Sequence, residues 1–142
     1  VAPTVAITQW FEKTGEFWGV GGGFLFQRAG NRLTLATGYF FRHWLDFLTR
    51  NAKLALNHGG SLPIHIRLGV NGLAGSWWPR GSFDFGEDGF AAVEPSYEYD
   101  ATLTSVETEA LHQVTVDAFN GLAAVYGHEP FALAEILEMA KR

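Results

Sequence analysis

The chain has 142 residues, the size of one domain, and 47% of them are hydrophobic and 15% aromatic, a composition that excludes an intrinsically disordered chain. Cysteine is absent, which excludes disulfides, thiolate metal sites and cysteine nucleophiles. The net charge of −5 is distributed unevenly. Residues 1–80 carry eight Lys or Arg and three Asp or Glu, whereas residues 81–142 carry two Lys or Arg and twelve Asp or Glu. The acidic second half disfavours binding to nucleic acid.

No targeting segment is recognisable in the chain. The first residues lack a basic stretch followed by an apolar core, and no run approaches the about 18 apolar residues that a membrane helix needs. These absences favour the cytoplasm but leave the compartment undecided. The chain begins at Val1 rather than Met, which indicates processing, or a single domain spanning residues 1–142 that has been excised from a longer protein.

The N-terminal segment predicts a short helix over residues 5–14. Ile7, Trp10 and Phe11 recur at helical spacing, and Gly15 follows as a stop signal. The glycine-rich stretch GVGGGF then begins at residue 19. It lacks the lysine and the spacing of a phosphate-binding loop, so we interpret its glycines as a sharp turn of the chain.

A β-hairpin and a long helix are predicted next. GGFLFQ and RLTLA flank the tetrad RAGN, which indicates a hairpin over residues 22–36. The helix spans residues 38–57, and Gly59 and Gly60 suit its C-terminal cap. One stripe of this helix is apolar and consists of Phe41, Trp44, Leu45, Leu48, Ala52 and Ala55.

Two further segments alternate between apolar and polar residues, the pattern of half-buried strands. They are LPIHIRL, residues 62–68, and SYEYDATLT, residues 96–104. A capping box of Thr104 and Glu107 predicts that a helix over residues 105–126 follows the second strand.

A last helix is predicted over residues 130–141, since Pro130 suits a first helical turn. The order of elements indicates an α+β fold with two layers. We expect a mainly antiparallel sheet of four to five strands, with three to four helices packed largely on one of its faces.

The polar residues of the two alternating strands are the first candidate site. If the strands share a sheet, His65, Arg67, Glu98 and Asp100 lie on one exposed face. Glu98 and Asp100 would then be about 6–7 Å apart, a separation compatible with a pair of acid–base carboxylates. A solvated polar face produces the same pattern without any chemistry, so both interpretations stay open.

The second candidate site is the stretch Trp77-Trp78-Pro79-Arg80. Adjacent residues of an extended chain point to opposite faces, so at most one tryptophan belongs to the core while the other faces outward. An exposed tryptophan beside an arginine is typical of an anchor in a binding interface.

The acidic stretch FDFGEDGF has the composition of a cation-binding loop but not its spacing. The position where a calcium loop carries its bidentate Glu is Pro95, and no HxH or HExxH motif occurs elsewhere. We therefore predict no metal and no cofactor.

Together these patterns favour a non-enzymatic domain that binds a protein or a small ligand, as an accessory module of a larger protein. Its candidate binding residues are Trp77, Trp78, Arg80, His65 and Arg67. Two alternatives remain. One is a small-molecule hydrolase or isomerase that uses Glu98 and Asp100 with His65, and the other is a homodimerisation domain that binds a second copy of the chain.

Overall fold

The structure is a computed structural model that describes residues 6–28, 32–79 and 89–141. These residues form eight strands and three helices. The strands are β1 (Ala6–Phe11), β2 (Glu16–Gly21), β3 (Leu25–Arg28), β4 (Arg32–Leu35), β5 (Ile64–Asn71), β6 (Ser76–Pro79), β7 (Gly89–Ala91) and β8 (Ser96–Leu103), and the helices are α1 (Thr37–Asn57), α2 (Thr108–Val125) and α3 (Leu133–Ala140).

Among the described residues the strands are divided into three small sheets. β1 pairs with β2, and β5 pairs with β8, both antiparallel. The third sheet has the order β3-β4-β6-β7, and its β4–β6 pair is parallel. The predicted α+β class is confirmed, but the described residues form eight strands in three sheets where one sheet of four to five strands was expected.

The second and third of these sheets are linked by a long hairpin, of which the structure describes residues 64–79 and 89–103, and we call these two segments the bent ribbon. Its two sides are β5 followed by β6, and β7 followed by β8. Gly72 and Gly75 have φ angles of 81° and 75°, and they bend the chain between β5 and β6. Backbone hydrogen bonds cross the bend, from Leu73 N to Pro95 O at 2.9 Å and from Ala92 N to Ser76 O at 3.0 Å. The bend explains why the strands do not form a single sheet.

A buried pair of hydroxyl groups fixes the inner side of this bend. The Ser76 hydroxyl lies 2.5 Å from Leu73 O and 2.6 Å from the Tyr126 hydroxyl. Because Ser76 has a single hydroxyl proton and donates it to Leu73 O, Tyr126 donates to Ser76. Burial raises the pKa of Tyr126.

The helix predicted over residues 5–14 is wrong, because residues 6–11 form a strand and residues 12–15 form a turn. β1 pairs with β2 from Ala6 opposite Gly21 to Phe11 opposite Glu16, and Gly15 with φ of 73° lies in the turn. We call these two strands, residues 6–21, the N-terminal hairpin. The glycines that seemed only to turn the chain, Gly19 and Gly21, are part of its second strand.

The hairpin predicted over residues 22–36 is confirmed as β3 and β4, and the helix predicted over 38–57 as α1. Gly59, with φ of 91°, and Gly60, whose N–H donates to Ala55 O at 2.8 Å, end this helix. The face of α1 that contributes to the core consists of Phe40, Phe41, Trp44, Leu48 and Ala52.

The last two helices begin three residues later than the sequence predicts. The Ser105 hydroxyl accepts a hydrogen bond from Glu107 N at 3.1 Å, which holds a turn ahead of α2, so the predicted capping box at Thr104 is wrong. The Asn120 amide binds both the N–H and the C=O of Phe131, at 2.8 and 3.0 Å, and this keeps the residues before Leu133 out of α3.

A single core connects the helices with the inner faces of the strands. α1 packs against α2 and α3, and α2 packs against β8. The α2–β8 contact is close, because the Tyr97 ring lies directly on Gly121, where a larger residue would meet it. None of the three described helices combines the length and the apolar character needed to cross a membrane.

Candidate interaction surface

The outer face of the β5–β8 pair carries the charged residues that the sequence singles out. β5 directs Ile66, Leu68 and Val70 into the core, whereas His65 and Arg67 point outward. The register places Arg67 opposite Asp100, so residues of both strands share this outer face. The predicted alternation of both strands is therefore confirmed.

The charged side chains on this face form one network. Arg67 Nε lies 3.0 Å from Asp100 Oδ1 and 3.1 Å from Glu98 Oε1, and His65 Nε2 lies 3.1 Å from the same Asp100 oxygen. The hydrogen bond to Asp100, then the charges of Asp100 and Glu98, raise the pKa of Arg67. Two carboxylates thus share one guanidinium, and the network of Arg67, Glu98 and Asp100 has an excess negative charge.

This arrangement is open to solvent. The four side chains are between 45% and 64% exposed. Two surface depressions, of about 450 and 260 Å³, lie beside α3 and α1, away from this network. Exposed ion pairs contribute little to stability, and acid–base catalysis usually relies on burial to tune its groups. The geometry therefore suits surface recognition better than acid–base chemistry.

Trp78 lies in the core. It is 2% exposed, and its ring lies 5.4 Å from the ring of Phe119, 5.5 Å from Tyr126 and 5.8 Å from Phe131, stacked on the last at 10°. This position leaves Trp78 almost no surface for a partner. Its role in the candidate site is therefore structural, because its ring anchors β6 to the core.

Trp77 lies on the opposite face, as the pleat of an extended chain requires. It is partly exposed, and the Arg32 guanidinium carbon lies 4.4 Å from the centre of its ring, a cation–π contact. Strand register places Phe26, Thr34 and Trp77 in one row across β3, β4 and β6. This row therefore carries two aromatic rings with exposed surface, whereas Thr34 between them is buried.

The remaining candidates from the sequence lie outside the described residues. These are Arg80 and the acidic residues Asp84, Glu87 and Asp88. Among the described residues, no group of three His, Asp or Glu side chains is placed to hold a metal ion.

One exposed surface was missed by the sequence analysis, the outer face of the N-terminal hairpin. Four large apolar side chains project from it: Ile7, Phe11, Trp18 and Val20, which are 61%, 46%, 59% and 67% exposed. The signal that would have found it is the pair of segments AITQWF and EFWGVG around the turn EKTG, both rich in β-branched and aromatic residues.

Comparison of the chain with protein-family models, with curated proteins and with solved structures finds no match. The geometry of its own surfaces is therefore the basis for a functional proposal.

Proposed function

We propose that the chain is a protein-interaction domain that binds its partner through the outer surface of the bent ribbon. The observation that supports this proposal best is the charged network of His65, Arg67, Glu98 and Asp100, which is ordered by its own contacts yet open to solvent. Such a face presents donors and acceptors in fixed positions, which favours specificity in recognition.

Trp77 extends this surface along the same ribbon, beyond the bend at residues 72–75. A ligand that contacts both Arg67 and Trp77 has to cross this bend, which favours a protein partner or an extended peptide over a compact small molecule. In this proposal Trp77 is the apolar anchor, and the charged network is the polar rim.

The excess of carboxylates defines the chemistry of the partner. Glu98 and Asp100 share Arg67, so part of their hydrogen-bonding capacity remains for a basic side chain. A segment of the partner that offers Lys or Arg next to an aromatic or aliphatic residue would match both parts of the surface.

Selection from a random peptide library displayed on phage tests this proposal. We expect peptides enriched on the wild-type chain to bind at least about tenfold more weakly to Trp77→Ala and to Glu98→Lys, because the new cation repels a basic partner. Asp46→Lys is the matched control, because Asp46 is an exposed carboxylate that belongs to α1 and not to the ribbon. Enriched peptides that bind all three variants as they bind the wild type would refute the proposed surface, as would a failure to enrich any peptide.

An acid–base enzyme is the second candidate, and the observation in its favour is that His65 and Asp100 lie 3.1 Å apart with Glu98 in the same network. Turnover of chromogenic ester and glycoside substrates that disappears in both His65→Ala and Asp100→Asn would support it. Activity that survives both substitutions would exclude these residues as the catalytic pair.

A further inference from the structure

The N-terminal hairpin is held in place by its inner face. A Cβ added to Gly19 would lie 2.5 Å from the Phe47 ring, and one added to Gly21 would lie 2.7 Å from His43 Nε2, so the backbone of β2 lies directly on α1. Trp10 on β1 contacts His58 beyond the end of the helix, with ring centres 5.5 Å apart. The orientation of the hairpin, and hence of its outer face, is fixed by these contacts.

The outer face is apolar along most of its length. The cross-strand pairs on it are Ile7 with Val20, Gln9 with Trp18, and Phe11 with Glu16. The carboxylate of Glu16 lies at the end nearest the turn, where the Thr14 hydroxyl lies 3.0 Å from it. The middle and the open end of the face therefore carry no charged side chain.

The exposed area of this face is comparable to half of a small protein interface. A large side chain has about 150–250 Å² of surface, and the exposed fractions of Ile7, Phe11, Trp18 and Val20 lie between 46% and 67%. These four side chains expose roughly 400–500 Å² together, near the upper limit of an apolar patch on a typical monomer, about 600 Å². With the exposed polar side chains of Gln9 and Glu16, which lie on the same face, one copy offers roughly 600 Å².

We propose that this outer face is a contact between two copies of the chain, packed face to face about a two-fold axis. Two copies would bury about 1,200 Å², the lower limit for a stable specific interface. A two-fold contact places the apolar centre of one face on that of the other, and Glu16, at the turn end, lies away from the middle of the contact. The proposal concerns a different surface from the bent ribbon and stands independently of the proposed function.

Sedimentation equilibrium over a range of concentrations, from about 1 to 200 µM, tests the contact. We expect a dimer that persists at high salt, because an apolar contact is not screened. Val20→Lys should raise the dimer dissociation constant at least tenfold. Val93→Lys is the matched control, since Val93 is 75% exposed and lies outside the hairpin, and it should leave the constant unchanged.

A crosslinking measurement provides a second readout that does not depend on weakening the fold. The chain has no cysteine, so Gln9→Cys introduces a single thiol at the centre of the outer face. A short bismaleimide should join two copies of Gln9→Cys but not two copies of Val93→Cys at the same concentration. A wild-type chain that is monomeric at 200 µM would overturn the proposal, and so would a dimer that is unchanged by Val20→Lys or that crosslinks equally through Val93→Cys.

Discussion

Truncation of the two adjacent tryptophans should have very different effects on stability. Trp78 is 2% exposed and packs among the rings of Phe119, Tyr126 and Phe131, whereas Trp77 lies on the outer face of the same strand. We expect Trp78→Ala to lower the free energy of unfolding far more than Trp77→Ala does, although the two substitutions are chemically identical.

The magnitude follows from the burial of each ring. Burying about 250 Å² of a tryptophan at about 25 cal/mol per Å² corresponds to roughly 6 kcal/mol, and a compact unfolded state lowers this value by up to about 40%. The expected loss for Trp78→Ala is therefore about 4 kcal/mol, within the range of about 3–5 kcal/mol for such truncations. Trp77→Ala leaves no internal cavity, and we expect it to cost about 1–2 kcal/mol, including a cation–π contact with Arg32 of about 0.5–1 kcal/mol.

Urea unfolding followed by far-UV circular dichroism measures this difference, because the signal does not depend on the tryptophans that are removed. A loss of about 4 kcal/mol is a large part of the total stability of a typical domain, about 5–15 kcal/mol. Trp78→Phe therefore serves as a milder variant if Trp78→Ala does not fold. The assignment of Trp78 to the core would be refuted if Trp77→Ala were as destabilising as either Trp78 variant.

Three further predictions concern contacts between the ribbon and α2. Gly121→Ala should destabilise the fold by about 1–3 kcal/mol although alanine has the better helix propensity, because the new methyl group meets the Tyr97 hydroxyl. Calorimetry should show that stability is partly recovered when Tyr97→Phe is added to Gly121→Ala. Ser76→Ala should cost about 1–3 kcal/mol in urea unfolding because it leaves the buried Tyr126 hydroxyl without its partner; a loss below about 0.5 kcal/mol would contradict this hydrogen bond. Burial raises the pKa of Tyr97 to about 12. In the unfolded chain this phenol ionises near pH 10. Its contribution to the free energy of unfolding, roughly 2–3 kcal/mol, is therefore fully present below pH 10 and is lost as the pH rises to 12. Unfolding measured between pH 9 and 12 should show a weaker decline in Tyr97→Phe, and an identical decline would exclude this cause.

The elements with one buried face could be predicted from the sequence. α1 has an apolar stripe at helical spacing and a glycine stop, and β5 and β8 alternate strictly because one face of each packs on the core. The same alternation placed His65 and Arg67 together with Glu98 and Asp100. The pairing of the two strands, its register and the distances within this network required the structure.

The partition into three sheets could not be predicted, because it depends on where one long hairpin bends. Gly72 and Gly75 mark the bend in the sequence, but glycines also mark ordinary turns, and nothing local shows that β6 continues the path of β5. The parallel pairing of β4 with β6 could not be predicted from the sequence either, since it joins segments about forty residues apart. Long-range pairing of this kind is determined by packing rather than by local propensity.

The failed prediction at the N-terminus and the proposed dimer contact have the same physical origin. A strand with one buried face shows a period of two, but the N-terminal hairpin has large apolar side chains on both faces: Trp10 and Phe17 toward α1, and Ile7, Phe11, Trp18 and Val20 outward. Apolar residues on both faces remove the alternation, and the remaining Ile7, Trp10 and Phe11 then mimic a helical stripe. A strand that is apolar on both faces is typical of strands covered on both sides, yet among the residues that the structure describes α1 lies on one side and the other side is exposed. The missing alternation is therefore itself an argument that the second side of this hairpin is covered when the protein functions.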